Sequence, residues 1–341
     1  MELESISDVP LGALERRLLD SFQRDLPLVA RPYQVMADAL DAGEADVLAA
    51  LGRLRATGVL SRVGFVVRPN TAGASTLAAM SVPECELASV AARISARPEV
   101  NHNYEREHRL NLWFVVAAAD AAARQRALCE IERETGYAAL DLPLEAAYHI
   151  DLGFPLTSGA APSREVSSAR KAGPGLNVRV TDQDRHILSE LQNGLPLAPR
   201  PFAGAAARLG LTETELLGEL RWLLACGVIK RCGLIVRHHE LGYRSNAMVV
   251  WNVPDHLVDD VGAQLSALPF VTLCYRRPRR LPDWPYNLFC MIHGRDRNTV
   301  VEQVAAVRAL RGLAEIPHAL LFSRRRFKQC GAAVSRTTEA A

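Results

Sequence analysis

Apolar positions recur with a helical period in the first part of each half of the chain. In the second half, the segments 180–192 and 213–227 both show this spacing, and a threonine stands at the start of each. Threonine favours the first position of a helix because its hydroxyl accepts from free backbone N–H groups. VIKRCGLIVR at 228–237 has β-branched residues on both sides of Gly233, which predicts two short strands joined by a tight turn. Three helical patterns and such a wing indicate a winged helix-turn-helix domain.

The second part of each half alternates between strand and helix patterns. In the first half the order is strand, helix, strand, strand, helix, strand, carried by STLAAMSVP, ELASVAARISA, EVNHNYE, LNLWFVVAA, AAARQRALCEIERET and LPLEAAYHI. This βαββαβ order predicts a ferredoxin-like domain with both helices on one face of an antiparallel sheet. The fold class is therefore α+β.

The two halves are copies of one unit. LPLVARPYQVMADAL at 26–40 aligns with LPLAPRPFAGAAARL, which begins 169 positions later, and NLWF at 111–114 aligns with NLFC at 287–290 after two short slips. A repeat of this length predicts a tandem duplication. The predicted organisation is a winged helix-turn-helix at 1–70, a ferredoxin-like domain at 71–156, a Gly-, Ser-, Ala- and Pro-rich linker at 157–177, a second winged helix-turn-helix at 178–240 and a second ferredoxin-like domain at 241–330.

Composition narrows the class of protein. Of the 341 residues 49% are apolar, and the net charge is only +2, so no global charge points to nucleic acid. No apolar run approaches the roughly 20 residues that span a bilayer. MELESISDVP has no basic-then-apolar signal pattern, so we expect a cytoplasmic protein without a membrane anchor. The seven cysteines are scattered without metal-ligand spacing, which favours reduced structural thiols.

The helices that would read DNA carry the wrong charge. The candidate at 43–58 has two acidic and two basic residues, which cancel, and the candidate at 212–227 has three glutamates against one arginine, which leaves −2. Both have acidic first turns, which suit the helix dipole but repel phosphate. The pattern argues against DNA binding and favours a retained scaffold.

The two copies diverge at one equivalent loop. VNHNYEREHRLNLWF in copy 1 aligns with VTLCYRRPRRLPDWPYNLFC in copy 2. Shared between them are Tyr104 and Tyr275, Arg106 and Arg277, and Asn111 and Asn287. His102 and His108 occur only in copy 1, which therefore offers proton carriers near neutral pH, and His102 faces Leu273. Copy 2 instead offers arginines, whose planar guanidinium groups suit carboxylates.

These segments carry a family resemblance. A winged helix followed by a βαββαβ domain resembles the Lrp/AsnC regulators, and the resemblance covers nearly all of both copies. HNYEREHRLNLWF, CYRRPRRLPDWPYNLFCMIHG and FSRRRFKQCG resemble more specifically the siroheme decarboxylases, in the form where two related subunits are fused. The resemblance implies removal of two acetate carboxylates of siroheme as CO2, which gives 12,18-didecarboxysiroheme in haem d1 or alternative haem biosynthesis. No cofactor is expected beyond the iron of the substrate.

The reaction that the resemblance implies needs a proton donor, which the side chains of copy 1 can supply. Losing CO2 leaves carbanion character on a methylene group, and a positioned imidazolium is a suitable general acid for that carbon. In a strand, residues 102, 104, 106 and 108 would face one way. We therefore expect His102, His108 and Tyr104 to be catalytic, and leave open that His102 or His108 ligates the siroheme iron. No separate metal site is expected.

The expected substrate-binding residues are mainly arginines, because siroheme carries eight carboxylates. They are Arg106, Asn111, Trp113, Tyr275, Arg276, Arg277, Arg279, Arg280 and Trp284, with Arg62 and Arg231 in the predicted wings. The tryptophans are equally well explained as core, and the wing arginines are equally open. Arg324, Arg325, Arg326 and Lys328 are either carboxylate ligands or a solvated basic tail.

The expected partners are siroheme and later enzymes of haem d1 biosynthesis. Because Lrp-like domains pair through their sheets, the two copies are expected to form an internal pseudo-dimer, either as a monomer or as a homodimer of such units. Two alternatives remain open. One is an Lrp/AsnC-type ligand-responsive DNA-binding transcription regulator, and the other is a non-catalytic haem-binding protein.

Overall fold

A computed structural model describes residues 11–68, 70–71, 73–150, 180–237, 240, 242–243, 245–310 and 312–330. Its helices and strands are α1 Ala13–Phe22, α2 Pro32–Ala39, α3 Glu44–Ala56, β1 Leu60–Val67, β2 Ala74–Met80, α4 Glu84–Ala96, β3 Val100–Arg106, β4 Leu112–Ala118, α5 Ala121–Thr135, β5 Leu140–Pro143, β6 Ala146–Ile150, α6 Asp182–Leu191, α7 Ala203–Arg208, α8 Glu213–Ala225, β7 Ile229–Val236, β8 Ser245–Trp251, α9 Val258–Ser266, β9 Val271–Arg276, β10 Leu288–Gly294, α10 Arg297–Arg308 and β11 His318–Gln329. The predicted linker lies outside the described residues.

The chain divides into two compact units, and each takes one domain from each copy. The helix-turn-helix unit contains α1 to α3 and β1 with α6 to α8 and β7. The sheet unit contains both βαββαβ domains. The predicted duplication and α+β class are confirmed. Within the described part of the chain, no helix has the length and apolar content needed to cross a bilayer.

The predicted helix starts of copy 2 are present in the helix-turn-helix unit. Thr212 accepts a hydrogen bond from the N–H of Glu215 at 3.2 Å, and the Glu215 carboxylate accepts from the N–H of Thr212 at 2.8 Å. The same exchange joins Thr181 and Asp184. Each pair satisfies donors that the first helical turn leaves free, so α6 and α8 begin where the sequence indicates.

The predicted two-stranded wing with a turn at Gly233 is wrong. The segment forms one continuous strand, β7, which pairs antiparallel with β1 of the other copy, and Gly64 lies opposite Gly233. A Cβ atom at Gly233 would lie 2.2 Å from the carbonyl oxygen of Gln23. Glycine is therefore required here by a close approach of main chain, which leaves the same sequence signal as a turn.

The sheet unit joins the two copies strand by strand. Copy 1 has the order β5-β2-β4-β3 and copy 2 the order β11-β8-β10-β9, as a ferredoxin-like fold requires. β11 pairs with β8 of its own copy and then continues beside β3 of copy 1. β6 of copy 1 pairs in turn with β9 of copy 2. Each copy's terminal strand thus extends the sheet of the other.

Three apolar clusters hold this unit together. One lies between α4, α5 and the copy 1 strands, and a second lies between α9, α10 and the copy 2 strands. The third draws on strand faces turned away from the helices, and its members Trp113, Leu142, Trp284, Phe289 and Leu321 come from both copies. The predicted internal pairing of the two copies through their sheets is present in this cluster.

Candidate functional site

A bulge in β3 sets the direction of the side chains predicted to be catalytic. Val100 packs into the cluster beneath α4 and α5, and the pairing of β3 with β4 shifts between Val100 and His102. Strict alternation from Val100 would turn His102 toward the helices. Because the bulge at Asn101 resets the alternation, Asn103 faces α4 and donates to the carbonyl of Ala91 at 3.0 Å.

His102, Tyr104 and Arg106 therefore share the face of β3 that is turned away from the helices. The rings of His102 and Tyr104 have centroids 6.2 Å apart, and the Arg106 guanidinium carbon lies 5.7 Å from the Tyr104 ring centroid. Burial raises the pKa of Tyr104, so its phenol keeps its proton and can donate a hydrogen bond across the physiological range. We call these three side chains the copy 1 row.

His108 does not belong to this row. β3 ends at Arg106, and the N–H of His108 donates back to the Arg106 carbonyl at 2.9 Å, so the expected alternation does not reach position 108. The imidazole packs edge-on against Trp284 with ring centroids 5.5 Å apart. At roughly 3.3 Å per residue, four residues of strand separate His102 from the end of β3 by about 13 Å.

His108 is held in its neutral form. Its Nδ1 accepts a hydrogen bond from the N–H of Leu110 at 3.1 Å, which requires that nitrogen to be unprotonated. Burial lowers the pKa of His108, and the neighbouring charge of Arg109 lowers it further. Both effects disfavour the imidazolium at this position in the free protein.

Arg106 is buried and Arg277 is partly buried with an inaccessible Nε, at equivalent positions of the two copies. Arg106 Nη1 donates to the Leu321 carbonyl at 3.1 Å, and Arg277 Nη1 donates to the Leu142 carbonyl at 2.5 Å. Burial lowers the pKa of each guanidinium to about 10. Among the described residues no carboxylate lies within 4.0 Å of either side chain, and both Nε atoms lack a hydrogen-bond partner. Such a pair of buried charges is costly unless an anion compensates it.

The predicted tryptophans lie in the cluster shared by the two copies. Trp113 and Trp284 are fully buried with ring centroids 5.2 Å apart, and Tyr286 and Phe289 surround Trp284 at 4.9 Å and 5.9 Å. Trp113 donates to the carbonyl of Leu110 at 2.6 Å. Their burial supports the core alternative, although Trp284 also packs against His108.

Asn111 and Asn287 connect strands in the two copies. Asn111 Nδ2 donates to the Val82 carbonyl at 2.8 Å, while its Oδ1 accepts from the Val82 N–H at 3.0 Å. Asn287 makes the same two contacts with Val253, both at 2.9 Å. The side-chain amides are occupied by the main chain, so these residues position the loops that follow β3 and β9.

Three of the copy 2 arginines make scaffold contacts. Arg279 donates to the Asn252 side chain and the Pro285 carbonyl at 3.0 and 2.9 Å, and its other nitrogens bind Asp255 and the Val253 carbonyl. Arg276 pairs with Glu145, and Arg280 donates to the Asp141 carbonyl at 2.8 Å. Arg277 is the member of the run whose charge is buried beside the shared aromatic cluster.

Arg62 and Arg231 belong to the helix-turn-helix unit. Arg62 lies on β1 and donates to the Phe65 carbonyl at 3.4 Å, and Arg231 lies on β7 and donates to the Gln23 carbonyl at 2.6 Å. Both stabilise the main chain around the strand pair that joins the two copies. The structure does not group them with the copy 1 row.

β11 supplies polar neighbours to the copy 1 row, of which the sequence had indicated Arg326 but not Ser323 or Gln329. Its register places Ser323 opposite Arg106, Arg326 opposite Tyr104 and Gln329 opposite His102. Lys328 instead donates to the carbonyls of Ser95 and Arg97 at 2.8 and 2.9 Å, at the end of α4.

The equivalent row of copy 2 lacks the histidine and the polar cross-strand neighbours of copy 1. Tyr275 and Arg277 are retained, but Leu273 stands where copy 1 has His102. Across the strand pair, β6 places Ala147 opposite Tyr275 and Ile150 opposite Leu273. The arrangement in copy 1 can bind carboxylates and supply a proton, whereas the arrangement in copy 2 retains only a buried cation and a phenol.

Comparisons with known proteins agree with this organisation. A model of the AsnC-like ligand binding domain matches residues 72–148 and 240–328, and a model of the siroheme decarboxylase NirDL-like HTH domain matches residues 15–60 and 184–230. A siroheme decarboxylase NirDL subunit from Paracoccus denitrificans is 47% identical over 94% of this chain and 97% of its own length.

Two further relatives extend the comparison. A siroheme decarboxylase NirD subunit from Pseudomonas aeruginosa is 58% identical over 42% of this chain and 95% of its own length. The crystal structure of the siroheme decarboxylase NirDL in complex with an iron-uroporphyrin III analogue has a TM-score of 0.68 at 27% identity. The match covers 94% of this chain and 95% of that one.

Proposed function

Because the chain belongs to the siroheme decarboxylase family, we propose that it removes two acetate carboxylates of siroheme as CO2. The product is then 12,18-didecarboxysiroheme, an intermediate of haem d1 or alternative haem biosynthesis. The related NirDL structure holds an iron-uroporphyrin III analogue, which supports an iron tetrapyrrole as the ligand here. The iron belongs to the substrate, and the proposal names no further cofactor.

The single observation that carries the proposal is the pair of buried guanidinium groups, Arg106 and Arg277. Neither has a carboxylate within 4.0 Å in the described part of the chain, and each retains an unsatisfied Nε donor. A ligand with eight carboxylates supplies the missing negative charge. Arginine also suits the planar, two-oxygen geometry of a carboxylate better than lysine does.

His102 is proposed to supply the proton of the reaction. The bond between an acetate methylene and its carboxylate breaks, CO2 leaves, and the electron pair remains on the methylene carbon and is delocalised into the macrocycle. The His102 imidazolium donates a proton to that carbon, which becomes a methyl group, and the imidazole regains its proton from water. Tyr104, beside His102, orients the substrate by donating from a phenol that stays protonated.

His108 is proposed to act on the second acetate. It lies beyond the end of β3, so it cannot reach the same carbon from the His102 position. Its neutral resting form fits a donor that is charged only when the substrate binds, because a carboxylate nearby raises the pKa of an imidazole. Ligation of the siroheme iron by His102 or His108 is the competing assignment for either residue.

The chemistry is proposed to occur at the copy 1 row. His102, Arg326 and Gln329 have Leu273, Ala147 and Ile150 as their copy 2 counterparts. The apolar side chains can neither donate a proton nor bind a carboxylate. Copy 2 contributes β11, whose Arg326 and Gln329 lie opposite Tyr104 and His102, so each copy supplies part of one site.

The cellular compartment of the protein and the transfer of its product to a later enzyme are also part of the proposal. The seven cysteines all carry free thiols, which suits a reducing compartment such as the cytoplasm. The product would pass to later enzymes of haem d1 synthesis. Anaerobic incubation with siroheme followed by mass spectrometry separates the proposal from its alternatives. A decarboxylase yields products lighter by one and then two CO2 units, whereas a regulator or a haem-binding protein returns siroheme unchanged.

A further inference from the structure

The junction between β3 and β11 contains a buried acidic residue. Glu105 of copy 1 has a side chain that is only 9% exposed. Arg325 Nε of copy 2 lies 3.5 Å from one of its oxygens, and Arg324 Nη1 lies 3.8 Å from the other. Glu107 of copy 1 adds a two-point contact with Arg297 of copy 2 at 2.7 and 2.9 Å. Copy 1 is acidic on its side of this junction, and copy 2 is basic.

At the second junction, between β9 and β6, copy 1 is again acidic and copy 2 again basic. Arg276 of copy 2 lies on β9, and its Nε is 3.1 Å from the carboxylate of Glu145, which immediately precedes β6 of copy 1. The main chain holds the pair together, since the N–H of Glu145 donates to the Arg276 carbonyl at 3.0 Å. Here β9 carries the basic residue, and the segment that leads into β6 carries the acidic one.

The two junctions are equivalent positions of the duplicated fold. Arg326 lies opposite Tyr104, just as Ala147 lies opposite Tyr275. Counting back two residues from Arg326 and Ala147 makes Arg324 the counterpart of Glu145, and counting forward one residue from each tyrosine makes Glu105 the counterpart of Arg276. An ion pair therefore joins the same two positions at both junctions. The position that is acidic in copy 1 is basic in copy 2, as Glu105 and Arg276 show, and Glu145 and Arg324 show the same exchange.

This exchange of charges would place like charges together if two identical copies paired, whereas a pair of different copies brings opposite charges together. If two copies of the first kind paired, the Glu145 position of one would meet the Glu105 position of the other. If two copies of the second kind paired, Arg324 would meet Arg276. We propose that these exchanged ion pairs make the edge of each copy specific for the other copy, so that unlike copies pair and like copies do not.

The pairing specificity also determines which side chains lie opposite the copy 1 row. Only the unlike pair places Arg326 and Gln329 of β11 opposite Tyr104 and His102. A pair of first copies would place residues equivalent to Ala147 and Ile150 there instead. Strand pairing through these charges is independent of the reaction and of which ligand this surface binds.

A full-length protein with a specific protease sequence inserted in the segment 157–177 tests the proposal. The folded protein is cleaved, unfolded in urea and refolded, and native mass spectrometry counts unlike and like pairs of halves. The original sequence is expected to return unlike pairs. The double variant Glu145→Arg/Arg276→Glu makes unlike and like pairs equally well matched, so the fraction of like pairs should rise at least about tenfold.

Two results would overturn the proposal. The original halves could pair at random, or the double variant could still return only unlike pairs. If the cleaved halves do not refold, the uncleaved chain gives a second measurement. Glu145→Arg and Arg276→Glu each place like charges together, so each should lower the melting temperature, and the double variant should restore it. Equal melting temperatures in all four proteins would also reject the proposed role.

Discussion

Arg106 and Arg277 both donate to a strand of the opposite copy, Arg106 to the Leu321 carbonyl on β11 and Arg277 to the Leu142 carbonyl on β5. Each guanidinium lies over the tyrosine two residues before it, at 5.7 Å for Tyr104 and 5.5 Å for Tyr275. The duplication has therefore kept a buried cation at both places. A neutral residue would fill the same space at lower cost in the free protein, and this cost supports the proposal that the charge serves a ligand.

Replacing these arginines should move stability and affinity in opposite directions. Arg106→Met or Arg277→Met removes a buried charge that has no carboxylate within 4.0 Å, although Asp141 stabilises the Arg277 charge from farther away. The melting temperature without siroheme should therefore be unchanged or higher, most clearly for Arg106→Met. Loss of the contact with a substrate carboxylate should weaken siroheme binding by about 1.5–3 kcal/mol, read from an absorbance titration. Arg126→Met, at an exposed position of α5, is the control. Unchanged affinity in both buried variants would contradict the role in substrate binding.

The titration of His108 should respond to its neighbour. Burial and Arg109 lower its pKa, so the imidazole should be protonated only below the usual range of a histidine. Arg109→Gln removes a positive charge and should shift the His108 pKa upward, by a small amount because Arg109 is exposed. NMR titration of labelled histidine rings measures both values. A downward shift, or a wild-type pKa above the usual value, would contradict this description of the site.

Two glycines should respond in opposite ways to alanine. Gly233→Ala places a Cβ 2.2 Å from the Gln23 carbonyl oxygen, so the strand pair between the copies must move, at a cost of about 1–3 kcal/mol. Gly218 lies inside α8 with nothing within 4 Å of its Cβ position, so Gly218→Ala should stabilise by about 0.5–1 kcal/mol. Urea unfolding measures both. Equal effects would mean that Gly233 is not sterically required.

Duplex DNA should bind weakly and without sequence preference. The first turns of α3 and α8 contain Glu44, Asp46, Glu213 and Glu215, which oppose phosphate. At physiological salt, dissociation constants near or above about 1 μM are expected, as for non-specific binding. A gel-shift titration checks this. Nanomolar binding to a specific site would favour the regulator alternative.

Much of the fold follows from local patterns in the sequence. Thr181 and Thr212 mark helix starts because the capping interaction is made within three residues. The βαββαβ order is readable because the periods of helix and strand differ. The pairing of β6 with β9 and of β11 with β3 could not be read in the same way, since it joins segments that are far apart in the chain.

The candidate site was predictable only in part. Tyr104 and Arg106 follow a period of two, which predicted their shared face correctly. The bulge at Asn101 and the end of β3 at Arg106 leave no periodic signal, so the loss of His108 from the row was not foreseen. Gly233 indicated a special backbone position, but a turn and a close approach require glycine equally.

The central claim is that copy 1 supplies the proton while copy 2 does not. Anaerobic single-turnover reactions with siroheme, quenched and analysed by mass spectrometry, test it with His102→Gln and its copy 2 counterpart Leu273→Gln. His102→Gln should slow the first CO2 loss by about 10²–10⁴-fold with siroheme binding nearly intact, and Leu273→Gln should react at the original rate. Loss of both CO2 units from His102→Gln at the original rate would contradict the account.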